Sequence, residues 1–243
     1  PPYAVAGDVD YAFSPDSREI AYLRNPDKVE AISTNSDIYV VPVTGGNAKN
    51  ITAHNRGYDD SPTYTRDGKY ILYQSQSRAG FEADRWRLMR YDRATGATTE
   101  LARGFDLGVG EIVQSSDGGA IYFATSERGG HPIYRVSSNG GAPQKVVDGV
   151  FATGLQLAPN GTMVFINSSL ARPPEVYRAN AGGGDRAGEG QTMGQRPALD
   201  PLGRQRSGNG NVIAGGDPLA EGGHQRLVRR HQVGGHARGR QLA

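Results

Sequence analysis

Phe13-Ser14-Pro15-Asp16-Ser17, Tyr64-Thr65-Arg66-Asp67-Gly68, Gln114-Ser115-Ser116-Asp117-Gly118 and Leu157-Ala158-Pro159-Asn160-Gly161 are four versions of one phrase. The acidic or amide residue stands at 16, 67, 117 and 160, so the phrase returns after 51, 50 and 43 residues. Each version reads as a tight turn. Proline presets φ at the second position, Asp or Asn bonds its own backbone, and glycine takes the position where φ is positive. A short β-type run follows every turn: Glu19-Ile20-Ala21-Tyr22-Leu23, Tyr70-Ile71-Leu72-Tyr73, Ala120-Ile121-Tyr122-Phe123-Ala124 and Thr162-Met163-Val164-Phe165-Ile166. These runs are apolar on both faces, as strands sandwiched between neighbouring sheets must be.

A second phrase keeps the same register. Asp37-Ile38-Tyr39-Val40-Val41, Arg87-Leu88-Met89-Arg90-Tyr91, Pro132-Ile133-Tyr134-Arg135-Val136 and Glu175-Val176-Tyr177-Arg178-Ala179 read as third strands, each followed by a glycine-bearing turn. Short fourth strands close the first three units at Lys49–Thr52, Thr99–Leu101 and Gln144–Val147; the fourth unit has none. Four antiparallel strands repeating every 40–50 residues or so is the period of a β-propeller blade. A sandwich also has short strands and glycine turns, but it does not repeat one turn phrase at the same place in every unit. The expected fold is therefore all-β: a partial propeller of about four four-stranded blades over residues 1–181.

Composition changes where the repeat stops. All 19 aromatics lie at or before Tyr177, and the 66 residues after it hold 10 Arg, no Lys and 16 Gly. The first 177 residues carry a net charge of −3 and the rest +5. Residues 182–243 are expected to form an unstructured Gly/Arg-rich tail. It reads either as a disordered linker or, because it interrupts a blade, as an out-of-frame reading of a GC-rich gene. An arginine-rich tail can attract phosphate, but this one has no lysine and no stacking aromatic, so nucleic acid is not expected as a partner.

Other classes fall away on residue type. There is no cysteine, hence no disulfide framework, thiol nucleophile or Cys-based zinc site. A reducing compartment and a cysteine-poor secreted protein both fit this, and the periplasm or secretion is favoured. No apolar run approaches 18 residues, so no membrane span is expected. The opening Pro1-Pro2-Tyr3 reads as a processed or internal start, the internal piece being favoured. The acids of the turn phrases supply one oxygen ligand each, far short of a calcium loop. His54 and His131 lack partners at metal spacing, and no metal or cofactor is expected.

The Ser-Pro-Asp-Ser and Ala-Pro-Asn-Gly turns, with the Ile-Ala-Tyr type of strand after them, resemble the TolB-like propeller repeat. The segments Leu23–Glu30, Thr34–Pro42 and Arg78–Trp86 are similar to the propeller of prolyl oligopeptidase family serine peptidases, of the dipeptidyl-peptidase and acylaminoacyl-peptidase type. The resemblance covers about residues 8–181. It implies a propeller that covers the active site of an α/β-hydrolase domain and admits only peptides. That chemistry needs a Gly-x-Ser-x-Gly elbow with Asp and His after it. No serine here has glycine at both −2 and +2, so no catalytic residue is assigned and the chain alone is expected to be inactive.

The resemblance also implies a use for the insertion between the second and third strands of the second unit, Ser75 to Asp84. In related dipeptidyl peptidases an acid on a propeller loop captures the substrate's free α-amine. Glu82 or Asp84 could act so, beside Arg85, since an ion pair with hydrogen bonds suits an ammonium group. The plainer reading, which is favoured, has both acids solvated and paired with Arg85 and Arg87, contributing little. Two functions stay open at this point. One is a peptide filter for a hydrolase domain; the other is a TolB-like module that binds a protein partner at its rim. A lactonase- or glycosidase-like propeller would need converging carboxylates or a metal, and no such cluster can be assigned from these strands.

Overall fold

The computed structural model describes residues 10–29, 32–182 and 185–186. Nearly every ordered stretch is a strand, and among the described residues there is no α-helix. The strands β1 (Tyr11–Phe13), β2 (Glu19–Arg24), β3 (Asp37–Pro42) and β4 (Lys49–Asn50) make the first sheet. The second holds β5 (Asp59–Tyr64), β6 (Tyr70–Ser75), β7 (Arg87–Asp92) and β8 (Thr98–Glu100). The third holds β9 (Ile112–Gln114), β10 (Ala120–Ala124), β11 (Ile133–Ser137) and β12 (Gln144–Asp148). The fourth holds β13 (Ala152–Leu157), β14 (Thr162–Ser169) and β15 (Arg172–Asn180). Within each sheet, chain order is spatial order and these neighbours are antiparallel. The architecture is that of propeller blades, three of four strands and one of three.

The turn phrases set the first hairpin of every blade. Ser14 Oγ donates to Asp16 Oδ1 at 2.7 Å and accepts from the Glu19 N–H at 3.1 Å. Thr65 with Asp67, and Ser115 with Asp117, repeat the arrangement. These exposed aspartates have their carboxyls held below the usual range, chiefly by the hydroxyl each accepts from.

The core lies between blades. Ala21, Ile38 and Ile51 of the first blade meet Tyr64, Ile71, Tyr73 and Tyr91 of the second. Leu72 and Leu88 meet Ile121, Phe123, Tyr134 and Val136 at the next junction. Ala120, Tyr122, Ile133 and Val146 meet Leu155, Met163, Phe165 and Tyr177 at the last. The second strands of the inner two blades are buried on both faces because a neighbouring blade covers each side; every residue of β10 is buried.

The tail expected from the sequence falls largely outside the described residues. Of the segment from 182 onward, only Gly182, Asp185 and Arg186 are described. Asp185–Arg186 form a two-residue strand, β16, which pairs in parallel with Val147 and Asp148 on the outer edge of the third sheet.

Candidate functional site

Meander topology puts two sets of loops on opposite faces. The turn phrases share one. The other carries the connections from second to third strands and those from one blade to the next. The long segments gather there: the stretch between β2 and β3, the link between β4 and β5, and the insertion between β6 and β7.

The insertion is folded on itself by Asp84. Asp84 Oδ2 accepts from the Ser77 N–H at 2.7 Å, the Arg78 N–H at 3.0 Å and the Ser77 hydroxyl at 3.1 Å. Burial pushes this carboxyl up, but the Ser77 and Arg78 donors together outweigh it and leave Asp84 below the ordinary range. Gln76 Nε2 holds the returning backbone through the carbonyls of Glu82 and Asp84, at 2.9 and 2.7 Å. The Gly80 N–H donates to Thr34 Oγ1 at 2.8 Å, tying this loop to its first-blade neighbour. Gly80 has a φ of +73°, a conformation other residues adopt at a cost.

The three sequence-predicted residues therefore separate. Asp84 is occupied as a loop closure, and its contact with Arg78 Nε is a loose 3.8 Å. Arg85 turns into its own blade, with Nη2 3.1 Å from Glu100 Oε1 and Nη1 donating to the Phe105 carbonyl. Arg87 donates to the Ser75 carbonyl at 3.3 Å, so neither arginine pairs with the loop acids. Glu82 is exposed and its carboxylate has no partner among the described residues. Phe81 beside it is half exposed and carries the Arg78 guanidinium 5.4 Å from its ring centroid.

Two hollows open on this face. One, of about 400 Å³, lies between Asp27, Lys28, Ile32, Arg56 and the Ala79–Gly80 backbone of the insertion. Another, of about 750 Å³, lies between the third and fourth blades, lined by Glu127, Lys145, Asp148, Phe151 and Leu170. Lys145 Nζ sits 2.7 Å from Glu127 Oε2, which also accepts from the Tyr134 hydroxyl at 2.8 Å. Bonding to Glu127 pushes the lysine up to about 12. His131 Nε2 lies 3.2 Å from Ser126 Oγ, with its ring stacked on Phe151 at 3.8 Å. No carboxylate orients that imidazole among the described residues, and the serine is not on a strand-to-helix elbow. No group of three or more His, Cys, Asp or Glu residues that could hold a metal occurs among the described residues.

Sequence reasoning missed a buried polar cluster at the junction of the first two blades. Asp37 and Asp59 are both buried, next to Asn35, Asn50, Thr52 and Asn55. Burial pushes the Asp59 carboxyl up to about 6, against the pull of Ser75, Asn55 and Thr52. Burial also raises Asp37, against a hydrogen bond from Asn50. The only sequence signal was a pair of aspartates opening β3 and β5, where apolar residues open β9, β11 and β13.

No family model matches the chain. Among curated proteins, it is 31% identical over 199 residues to dipeptidyl-peptidase 5 of Porphyromonas gingivalis, covering 81% of this chain and 29% of that protein. It is 35% identical over 172 residues to dipeptidyl-peptidase 5 of Porphyromonas endodontalis, covering 70% of this chain and 25% of the relative. The chain is similar to part of these dipeptidyl peptidases. It spans a quarter to three-tenths of the length of these relatives. Solved structures agree on the fold. A TolB from Agrobacterium tumefaciens superposes with a TM-score of 0.56 at 24% identity, covering 75% of this chain and 63% of that one. An acylaminoacyl peptidase from Pyrococcus horikoshii gives 0.55 at 16% identity, covering 76% and 27%.

Proposed function

We propose that this propeller is the substrate filter of a dipeptidyl-peptidase 5-like serine peptidase of the prolyl oligopeptidase family, working with an α/β-hydrolase domain supplied by the rest of the parent protein. The observation that carries this reading is the 31% identity over 199 residues to a dipeptidyl peptidase. The insertion loop supports it chemically. A dipeptidyl peptidase must recognise a free α-ammonium group, and a carboxylate with no partner of its own is the group suited to do so. Glu82 is that carboxylate, since the fold already consumes Asp84 and Arg85. Asp84 acts one step back, fixing the loop that presents Glu82.

The test belongs in the parent peptidase. Glu82→Gln should raise KM for an unblocked dipeptidyl reporter by roughly tenfold or more, in the range of a lost charged hydrogen bond. An N-blocked reporter, which has no ammonium group, should be unaffected. An equal effect on both reporters removes Glu82 from the role. A second reading, a TolB-like module that binds a protein partner, draws on the TolB superposition, which spans 63% of its counterpart against 27% for the acylaminoacyl peptidase. Coding sequence for a Gly-x-Ser-x-Gly elbow downstream of the last blade supports the peptidase, and a stop after one closing blade supports the module.

A further inference from the structure

The buried cluster between the first two blades leaves three oxygen acceptors without a hydrogen-bond partner. Ser36 and Tyr58 form an isolated parallel bridge, reinforced by the Asp59 N–H donating to the Ser36 carbonyl at 2.9 Å. Side chains alternate along extended chain, so the residues flanking a parallel bridge project to the side opposite the bridged pair. Asn35 and Asp37 flank Ser36, and Asp59 follows Tyr58. All three thus fall on one side, and all are more than nine-tenths buried.

Each aspartate has one oxygen accounted for. Asp37 Oδ2 accepts from Asn50 Nδ2 at 2.6 Å, and Asp59 Oδ1 from Asn55 Nδ2 at 2.9 Å. The remaining oxygens, Asp37 Oδ1 and Asp59 Oδ2, have no hydrogen-bond partner, and neither has Asn35 Oδ1. Among the described residues no lysine or arginine forms an ion pair with either aspartate; Arg56, the nearest in sequence, pairs with Asp27 at 3.6 Å. Buried charge is retained in proteins when it is paired or bound to metal. A proton shared between two carboxylates would leave the Asn35 oxygen unmet. A water could donate to two of the three oxygens and would neutralise nothing. A cation meets all three and supplies the missing charge.

We propose that Asn35, Asp37 and Asp59 form a binding site for a hard divalent cation of the Ca²⁺ type, placed between the first and second blades. The donor set contains oxygen alone, which suits Ca²⁺ and disfavours metals that prefer nitrogen or sulfur. Ca²⁺ accepts irregular coordination, whereas Mg²⁺ demands a near-ideal octahedron. The ion would bridge the start of β3 to the start of β5, so its binding energy becomes coupling between two blades. The site occurs once among the described junctions, because β7 opens on Arg87 and β11 on Ile133. It does not depend on the peptidase reading.

The experiment is equilibrium dialysis of the full 243-residue chain, freed of metal by chelation, against Ca²⁺ alone. The count is per chain and holds equally for an oligomer. One ion per chain is expected, with a Kd between about 10⁻⁵ and 10⁻³ M. Asp37→Asn and Asp59→Asn should each weaken binding by at least about tenfold, while Glu82→Gln leaves it unchanged. Should either carboxamide variant fail to fold, Asn35→Asp keeps both carboxylates, adds a third and should tighten binding. No bound ion in the wild-type chain at about 10 mM free Ca²⁺ overturns the proposal. So does one ion held equally by every variant, an adventitious ion only.

Discussion

Ser17 occupies the one turn position of the four where glycine is missing, with a φ of +58° against +67°, +72° and +81° at Gly68, Gly118 and Gly161. A side chain in that region costs about 1–2 kcal/mol, and glycine would return about half of this as unfolded-state entropy. Ser17→Gly should therefore stabilise the chain by about 0.5–1 kcal/mol, read as a higher urea midpoint at unchanged slope. A lower midpoint would show that the serine holds the turn in some other way. At Asp84 the same scale bears on the proposed site. Sequence cannot separate Glu82 from Asp84, two acids two residues apart in one loop. What separates them is the set of donors on Ser77 and Arg78, brought close only when the loop closes. Because the folded-state pKa of Asp84 is lowered, its contribution is complete above the unfolded value and disappears as pH falls through the folded one. Exchange of the Ser77 and Arg78 amides should accelerate in that acid window, after correction for intrinsic rates. In Asp84→Ala it should be roughly tenfold faster above that window, and the difference from wild type should vanish below it. Amides equally protected in the variant would mean that Gln76 alone closes the loop.

The elements were legible in proportion to how much of their covering lies within the repeat. Second and third strands announce themselves because blades sandwich them. The expected runs at residues 120–124 and 37–41 recur almost unchanged as Ala120–Ala124 and Asp37–Pro42. The first strand of the second blade left no apolar signature. β5 reads Asp-Asp-Ser-Pro-Thr-Tyr, with a register shift between Asp60 and Thr63 and a positive φ at Ser61. β15 is longer than expected, running back through Pro173 and Pro174, residues that sheets admit at the start of a strand or at an edge. The junction between second and third blades rests on Phe123, fully buried, stacked on Tyr134 at 6.0 Å and edge-on to Phe105 at 5.7 Å. Phe123→Ala should cost about 3–5 kcal/mol, whereas Phe81→Ala on the exposed loop should cost less than about 0.5 kcal/mol. Denaturant unfolding of both variants checks this, and comparable losses would mean that the junction collapses around the cavity.

Whole-molecule behaviour follows from where the stacking of blades stops. Each junction buries the face of one sheet against the next, so the first and fourth sheets each keep a face that no other described sheet covers. On the first, Tyr11 and Phe13 are more than half exposed and meet edge to face at 6.0 Å. On the fourth, Ile166 and Val176 are cross-strand partners between β14 and β15, each about two-fifths exposed, with Phe151 exposed to a similar degree. Apolar pairs facing outward from an edge sheet drive association. Residues 1–181 alone should accordingly sediment as oligomers or aggregates, with little monomer at micromolar concentration. Ile166→Thr with Val176→Thr keeps β-branched shape on the strands while removing the apolar contact, so it should shift the distribution toward monomer without lowering strand content by circular dichroism. Wild-type residues 1–181 running as a monomer, with a sharp cooperative melt, would show that these faces need no cover. A double variant that stays aggregated would place the association on the first sheet, at Tyr11 and Phe13, instead.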